Sequence, residues 1–389
     1  MNRGLLLITV SLVAACGQDG DPRADVLDRV DVFTLAPLDD VRAIRDLART
    51  KSGSVWILNS GEPFLILQRV SGENATAFGE AGDGPDEIGF AAAIVGATDS
   101  MVTIVDRERR EVRSFRSDGR NVSNRSIEEL ESMVAADLGE TLSGSPFSAA
   151  LLDSHLVTID YPEPRAPGTA HLWNRRLVSI DLEDGEVNEI IDFRVPRDRV
   201  LDRMSGAAIL APAPLWAVCA DGSIVYYLPF ESSLTWSDTR GTRVGVPKSV
   251  RPLRDEEVEA HLLGGLARRP RSKDMTQDEL VAMLPMVLER LGDEVSALAP
   301  AYVEMGCDPQ NRIWLQTFSV QHDWMGRGST IDVMDRQGVV ATDIPLPAGF
   351  HPLRFYGDTI LGVLRDQFDV GRVAGVVIEC ALRQETARC

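Results

Sequence analysis

A strand–turn–strand pattern that recurs six times is the feature that most restricts how this sequence can fold. Each copy has a hydrophobic strand, a short turn built largely from Asp, Gly, Ser or Asn, and a second hydrophobic strand. The six predicted hairpins occupy 44–58, 92–105, 149–159, 215–226, 302–315 and 353–363. Their turn residues tolerate the left-handed and Asx-turn conformations that tight hairpins need. A chain with this internal period is expected to fold as a repeated β structure.

The stretch from Ala77 to Val122 shows one repeat complete. It begins with a loop at 79–85, where three glycines and a proline exclude regular structure. The predicted elements after it are strands at 92–97, 101–105 and 111–115, a turn at 118–119 and a short fourth strand. Hydrophobic and polar residues alternate in the third strand, which is the period of a strand with one buried face. Four strands per repeat is the content of a β-propeller blade.

The distances between the turns agree with blades of this kind. The turns near residues 52 and 99 are separated by about one blade of roughly 40–50 residues, and so are those near 309 and 357. The intervals between the middle turns are longer, so insertions are expected there. Outer hairpins are predicted at 64–78, 176–191 and 329–344, with a weaker match at 231–246.

The last repeat is one strand short. After the sixth hairpin the sequence has one good strand, Val373–Glu379, and no clear fourth. We predict that Arg29–Leu35, near the N-terminus, supplies the missing strand. Pairing the two ends of the chain would remove the exposed sheet edges that promote aggregation. The predicted fold class is therefore all-β, a six-bladed β-propeller over residues 27–385 closed by pairing of its N- and C-terminal strands, with a small helical insertion at 253–298.

The insertion at 253–298 has helical periodicity. Asp255 opens an acidic first turn, and 276–279 fits a capping box, both of which are typical of helix N-termini. Apolar residues follow at helical spacing, and Pro285 is expected to kink or split the second helix. The basic segment 268–273 is either a solvated loop or a contact for an anionic partner or lipid headgroup.

Residues 1–15 are predicted to be a lipoprotein signal peptide. Arg3 gives a positive start, a short apolar segment follows, and 13–16 looks like a bacterial lipobox. In such signals the cysteine, here Cys16, carries the lipid and becomes the new N-terminus. The alternative is an ordinary secretory signal with a coincidental cysteine. Residues 16–26 would form a lipid-anchored tether, which predicts a location in the bacterial cell envelope, at the outer membrane on its periplasmic or surface side.

Export would place the other cysteines where disulfides can persist. They are Cys219, Cys307, Cys380 and Cys389, which allow three pairings. Cys380 and Cys389 could close a terminal loop, whereas Cys219 and Cys307 occupy similar points in two successive repeats. The sequence does not choose between these bonds and free thiols. No C-x-x-C spacing supports a zinc site.

Charge and the scarcity of catalytic patterns restrict the functional classes. The net charge of −19 and the lack of a basic stripe argue against nucleic-acid binding, because neutralising phosphates needs clustered Lys and Arg. None of the five histidines lies in a metal-binding spacing. The sequence contains no nucleophile elbow. We therefore predict no catalytic residues.

Two segments resemble a known repeat. Residues 79–88, which contain Gly-Asp-Gly-Pro, and then 105–119 look like the NHL-type repeat. The resemblance is closer still to the six-bladed β-propeller lipoproteins of bacterial envelopes. Asp86 stands where the pattern usually has a second glycine, and Ile88 where it usually has phenylalanine. The resemblance implies an architecture more than an activity, since that family is poorly defined in function.

Two functional hypotheses follow. The first is an envelope module that binds or scaffolds without a cofactor, with the membrane as one partner through the N-terminal lipid and an envelope protein or small ligand as another. The alternative is a metal-dependent hydrolase or lyase of the gluconolactonase kind, which is also six-bladed. That chemistry needs side chains converging on the axial channel to hold Ca²⁺ through oxygen atoms. The candidates are Asp106, Asp160 and Glu304, of which Asp106 is explained more simply as a corner residue.

Overall fold

The computed structural model describes a chain built almost entirely of antiparallel strands. The described residues are 31–34, 44–68, 75–106, 108–129, 149–152, 155–160, 172–184, 186–196, 212, 214–237, 241–267, 275–291, 298–320, 327–365 and 371–378. They form six four-stranded sheets, one two-stranded sheet and two long helices. The predicted all-β, six-bladed β-propeller fold is confirmed.

The strands follow one another in the order that the repeats predict. Strand β1 is Asp31–Thr34. The first sheet contains β2 (Ile44–Arg49), β3 (Val55–Asn59), β4 (Leu65–Gln68) and β5 (Thr76–Phe78). The second contains β6 (Ala91–Ala97), β7 (Met101–Asp106), β8 (Glu111–Arg116) and β9 (Asn121–Ser126). The third contains β10 (Ala149–Leu152), β11 (His155–Asp160), β12 (Leu172–Asp181) and β13 (Val187–Pro196).

The remaining sheets have the same internal order. The fourth contains β14 (Leu215–Val218), β15 (Ile224–Leu228), β16 (Ser233–Trp236) and β17 (Arg243–Gly245). A two-stranded sheet pairs β18 (Arg251–Pro252) with β19 (Leu298–Ala299). The fifth contains β20 (Tyr302–Cys307), β21 (Ile313–Phe318), β22 (Arg327–Asp335) and β23 (Gly338–Pro345). The sixth contains β24 (Phe350–Tyr356), β25 (Thr359–Arg365) and β26 (Gly371–Val377). The outer hairpin that the sequence predicted weakly in the fourth sheet is present as β16 and β17.

The two ends of the described chain meet in the sixth sheet, whose strand order is β1-β26-β25-β24. Strand β1 pairs with β26 in antiparallel register, from Asp31 opposite Val377 to Thr34 opposite Ala374. The N-terminal segment therefore supplies the strand that the last repeat lacks, as predicted. It covers the edge of β26, whose Ala374 and Val376 are fully buried.

The chain divides into two compact units. The first lies within 1–163, 174–193 and 349–380, and the second within 164–173, 194–348 and 381–389. The first, second and sixth sheets belong to the first unit, together with most of the third. The fourth and fifth sheets belong to the second unit, together with the helical insertion.

One five-residue turn connects the first two strands in three of the sheets. The turns are Thr50–Ser54, Cys219–Ser223 and Asp308–Arg312. In each, the first residue's N–H donates to the fifth residue's carbonyl at 2.8–3.0 Å, and the fourth residue's N–H donates back to the first at 2.9–3.0 Å. The fourth residues are Gly53, Gly222 and Asn311, with φ of 90°, 81° and 61°. These are residue types that accept positive φ at low cost, so the local sequence selects the turn.

A disulfide joins two of these turns within the second unit. Cys219 is the first residue of one turn, and Cys307 immediately precedes the first residue of the other; the two bond across a sequence separation of 88. This selects Cys219–Cys307 from the possibilities left open by the sequence. Cys380 and Cys389 lie outside the described residues, so the bond between them stays a prediction.

The insertion folds as two helices, α1 (Asp255–Ala267) and α2 (Gln277–Leu291). The predicted capping box is present, because the Glu279 carboxylate accepts from the Thr276 N–H at 2.7 Å and the Thr276 hydroxyl accepts from the Glu279 N–H at 3.3 Å. Pro285 lies inside α2 and does not split it. Leu284 before it and Val287 and Leu288 after it all pack in the core shared with α1.

Several predicted segments fall outside the described residues. They are the signal peptide at 1–15, Cys16, the tether at 16–26 and the basic segment 268–273. Within the part of the chain that the structure does describe, no helix has the length and apolarity needed to cross a membrane.

Candidate functional site

A β-bulge recurs in the first strand of four sheets. The register slips by one residue between Ile44 and Asp46 in β2 and between Pro352 and Arg354 in β24. Matching slips occur between Ala91 and Ala93 in β6 and between Tyr302 and Glu304 in β20. Bulges locally re-aim a side chain and are common beside functional sites. The residues that follow these four bulges are Asp46, Ala93, Glu304 and Arg354.

Asp46 joins the first strands of three sheets in the first unit. Its buried carboxylate accepts from the Leu47 and Ile94 N–H groups, both at 2.8 Å. It also pairs with the Arg354 guanidinium, through Nε at 3.0 Å and Nη2 at 2.6 Å. Strand β2 packs against both β6 and β24, so this single carboxylate lies where the three strands meet. Such a charge-assisted bidentate pair fixes geometry as well as contributing energy.

The Arg354 guanidinium is fixed on the same three strands. Nε also donates to the Leu47 carbonyl at 3.1 Å, and Nη2 donates to the Ile94 carbonyl at 2.9 Å. The side chain nevertheless keeps 37% of its surface exposed, whereas that of Asp46 keeps 9%. Arg354 is therefore a cation with a fixed orientation and partial access to solvent. That combination suits recognition of an anion.

Aromatic and basic groups flank this pair on β2. The Arg45 guanidinium lies 3.8 Å from the centroid of the Phe90 ring, a cation–π contact. Partial burial lowers the pKa of Arg45. At the other end of β2, the Arg49 N–H donates to the Tyr356 hydroxyl at 2.7 Å. Burial raises the pKa of the Tyr356 hydroxyl.

These strands are locally basic although the chain is acidic overall. The charged residues of β2, β6 and β24 are three arginines and one aspartate, with a histidine in addition. They are Arg45, Arg49, Arg354, Asp46 and His351. The whole chain carries a net charge of −19. An excess of positive charge in one region of an acidic molecule favours the approach of small anions there.

Asp106, the first candidate metal ligand, binds the backbone just before β6. Its fully buried carboxylate accepts from the Gly89 and Phe90 N–H groups at 2.9 and 3.0 Å, and from the Arg109 N–H at 3.3 Å. The Arg113 guanidinium lies 3.5 Å away. These contacts account for Asp106 as a corner residue, which is the simpler of the two interpretations considered for it.

The segments that resemble the NHL-type repeat meet at this corner. Arg113, which is fully buried, donates to the Pro85 and Glu87 carbonyls. Arg109 donates to the Gly84 carbonyl at 3.0 Å. This loop is thus held by two arginines from the polar corner and the strand that follow it. The resemblance therefore lies in residues that stabilise the blade.

The other two candidate metal ligands are Asp160 and Glu304. Asp160 ends β11, and its side chain lies outside what the structure describes. Glu304 is half-buried on β20, opposite Gln316 and directly after the bulge. Within the described residues, no three His, Cys, Asp or Glu side chains are grouped closely enough to hold a metal ion. Glu304 shares its place after a bulge with Asp46 and Arg354.

A second polar cluster stabilises the second unit. Fully buried Asp332 accepts from Lys248 Nζ at 2.7 and 2.6 Å, from the Tyr302 hydroxyl at 2.7 Å and from the Asp343 N–H at 2.9 Å. Burial, reinforced by Asp332, raises the pKa of Tyr302. Lys248 follows the fourth sheet and Asp332 lies in the fifth, so the cluster ties the connecting segment to a blade.

Asp46 and Arg354 were missed by the sequence analysis. A signal was present, because each is a charged residue inside a short first strand of a predicted hairpin. Their pairing spans 308 residues, however, and depends on two bulges that bring the side chains together. Periodicity identifies such strands but does not reveal where their register slips.

Comparison with known proteins supports the fold and does not identify an activity. No protein-family model matches the chain, and no curated protein sequence matches it. Among solved structures, a member of the duf4221 family from Bacteroides vulgatus has a TM-score of 0.50 at 11% identity, covering 90% of this chain and 97% of that one. The likeness is one of fold.

Two further structures are similar at lower scores. A gluconolactonase from Xanthomonas campestris has a TM-score of 0.44 at 11% identity, over 92% of this chain and 93% of its own. Virginiamycin B lyase from Staphylococcus aureus has a TM-score of 0.42 at 9% identity, over 90% of this chain and 99% of its own. At these identities neither similarity transfers an activity.

Proposed function

We propose that the chain is a binding or scaffolding module, held at the bacterial cell envelope by a lipid on Cys16. The observation that carries the binding role is the Asp46–Arg354 pair, which fixes a partly exposed cation where three first strands meet. Binding modules use such pre-positioned polar groups to orient a ligand. An envelope protein or a small molecule would be the partner.

Two features support the envelope location. The sequence of residues 1–16 has the charge, apolar segment and cysteine of a lipoprotein signal. The Cys219–Cys307 bond is of the kind that persists in exported proteins and is rare in the cytosol. Two or three acyl chains would anchor the module firmly to a bilayer.

The anchor is tested by lipid labelling. Cys16→Ser is expected to abolish incorporation of labelled palmitate. Cys389→Ser, which changes a cysteine at the other end of the chain, is the control and should keep the label. Equal labelling of wild type and Cys16→Ser would refute the anchor.

The binding role is tested by capture from detergent-solubilised envelope. The wild-type chain is expected to retain a specific envelope protein or an extractable small molecule, identified by mass spectrometry. The control bait is a variant in which Asp46→Asn and Arg354→Gln are combined, because this replaces the ion pair by neutral groups of similar shape. If both baits capture the same molecules, the Asp46–Arg354 pair does not take part in binding.

A metal-dependent hydrolase or lyase of the gluconolactonase-like type is the second candidate. It is favoured by one observation, the half-buried Glu304 on a first strand directly after a bulge. A bound Ca²⁺ would raise the unfolding temperature by mass action. The test compares unfolding with excess Ca²⁺ and with chelator, in wild type and Glu304→Gln. A Ca²⁺ effect that Glu304→Gln abolishes supports this candidate, and curves that coincide in both proteins count against it.

A further inference from the structure

We infer that the outer face of helix α2 is the docking surface for a basic amphipathic helix of an envelope protein. This outer face consists of Val281, Ala282, Pro285 and Met286, with a carboxylate at each end. The inference rests on the proposed function for the location of the partner. It does not depend on the Asp46–Arg354 pair, because the helical insertion lies in the other compact unit.

Helix α2 is packed on one side only. The apolar residues of that side share a core with α1, and they are Leu280, Leu284, Val287 and Leu288. The opposite side carries the four residues of the outer face at helical spacing, and all four are exposed. Val281 keeps 44% of its surface exposed and Met286 keeps 60%. Contiguous apolar surface with a polar rim is typical of protein interaction sites, and methionine is favoured there because its side chain adapts to a partner.

A carboxylate lies at each end of the outer face. Asp278 precedes Ala282 by four residues, Glu289 follows Pro285 by four residues, and both acids are exposed. Their Cα atoms are about 16 Å apart along the helix. Asp278 suits the N-terminus of α2, but Glu289 lies near the C-terminus, where a negative charge is unfavourable. Helix stability therefore does not explain the second carboxylate, whereas a partner with two basic groups at this spacing does.

Pro285 adds a hydrogen-bond acceptor to the outer face. It has no N–H, so the Val281 carbonyl lacks the donor that a regular helix supplies four residues later. Lysine and arginine side chains carry only donors and can pair with such a carbonyl. The apolar residues, the carbonyl and the two carboxylates together suit an amphipathic helix whose polar edge is basic.

The same charges disfavour two other occupants. If two copies docked through α2 in antiparallel, Asp278 of each copy would lie against Glu289 of the other, and in a parallel arrangement each acid would meet its own counterpart. A bilayer surface of anionic lipid would also be repelled, and the net charge of −19 adds to both effects. Helices that lie on such bilayers carry lysine and arginine beside their apolar face instead.

The test uses three fluorescent peptides of about 18 residues, because shorter helices are marginal in water. The first is an amphipathic helix of leucine and lysine. The second has glutamate in place of every lysine, and the third has the composition of the first in an order without helical periodicity. Anisotropy is followed as the full chain is added at constant ionic strength. We expect the first peptide to bind saturably and the other two to bind at least about tenfold more weakly.

A paired variant tests the apolar part of the outer face. Val281→Thr with Met286→Gln keeps the shapes of the side chains and makes them polar, and it is expected to weaken binding of the lysine peptide by about tenfold or more. The matched control makes the same two changes at Val122 and Met101, which are exposed in the second sheet. It should bind like wild type.

A second paired variant tests the carboxylates. Asp278→Asn with Glu289→Gln is expected to weaken binding of the lysine peptide by roughly threefold or more, since each exposed ion pair contributes little. Asp83→Asn with Glu186→Gln removes the same charge from exposed positions in the other unit and should keep the wild-type affinity. Equal losses in the two variants would show attraction to the whole acidic chain and would contradict a local site.

Other outcomes would also overturn this inference. Equal affinities for the lysine and glutamate peptides would do so, as would full binding by the folded Val281–Met286 variant. Wild-type oligomers that this variant abolishes would assign the outer face to a second copy. Binding to phosphatidylglycerol vesicles that it abolishes would assign the face to lipid.

The docking surface and the proposed function fail in different experiments. If the lysine peptide binds as expected but the envelope capture retains nothing, the proposed function is removed and the outer face stays a peptide site. If the capture succeeds and the peptide results do not distinguish the variants, the docking surface alone is removed.

Discussion

The turns between first and second strands in three sheets require a positive φ at their fourth residue. Gly53, Gly222 and Asn311 occupy the same place, and all three have φ between 61° and 90°. An L-residue with a Cβ is strained in this region by about 1–2 kcal/mol, and Asn and Gly are the types that tolerate it best. The sequence analysis could therefore locate these turns, because the constraint and the residue that satisfies it lie at the same position.

We expect Gly222→Ala to lower the free energy of unfolding by about 1–2 kcal/mol, since alanine must take φ near 81°. Gly245→Ala in the same sheet is the control. Its added Cβ meets nothing within 4 Å, so little change is expected. Urea unfolding of the two variants gives the comparison, and equal midpoints would show that the turn carries no backbone strain.

The contact between Asp46 and Arg354 could not be predicted from the local sequence around either residue. Asp46 and Arg354 are ordinary charged residues until β2 and β24 each accommodate one extra residue. The sequence analysis instead named Asp106, Asp160 and Glu304 as candidates and explained Asp106 more simply as a corner residue. The Asp106 carboxylate accepts from the Gly89 and Phe90 N–H groups. Local sequence patterns identify residues whose contacts are close in sequence, whereas Asp46 and Arg354 are separated by 308 residues.

The Glu257 carboxylate, in the first turn of helix α1, binds two arginines. Buried Glu257 accepts from Arg251 Nη1 and Nη2 at 2.8 and 2.5 Å, and from Arg254 Nη2 and N–H at 3.0 and 3.1 Å. Hydrogen bonds from Arg251 lower the pKa of Glu257 to about 2, against the opposing effect of burial. The acidic helix start was predictable from sequence, but the two arginines that pair with Glu257 were not singled out.

A depressed carboxyl pKa contributes stability above its ordinary value of 4.5 and loses it as pH falls toward about 2. We expect Glu257→Gln to destabilise the chain at pH 7 by roughly 1–2 kcal/mol, allowing for solvent around the arginines. The difference from wild type should shrink between pH 4.5 and 2. Thermal unfolding across this range tests it, with exposed Glu256→Gln as control. A difference that is constant with pH would contradict the ion pair's role.

For the whole molecule, the decisive interaction is the pairing of β1 with β26. The sequence analysis predicted it by elimination, because the sixth repeat lacked a strand and the N-terminal segment had the right pattern. The division into two compact units was not predicted, since no composition change marks it. The disulfide was likewise left open among three pairings, and the fold selected Cys219–Cys307 by bringing two equivalent turns together.

Deleting residues 31–34 is expected to expose the edge of β26 and to lower stability. Ala374 and Val376 are fully buried in wild type, and an uncovered apolar strand edge pairs readily with another chain. Light scattering should then show concentration-dependent oligomers. A deletion of the same length within 17–26 is the control and should leave the protein monodisperse. A monodisperse, equally stable variant lacking 31–34 would show that the strand is dispensable.

The Cys219–Cys307 bond has a consequence for the helical insertion. Both helices lie between the two cysteines, so the insertion belongs to a covalently closed loop. A protease that nicked the backbone anywhere inside that loop would leave one molecule under oxidising conditions and two fragments after reduction. A cut within the insertion would therefore leave the fourth and fifth sheets covalently tethered to each other.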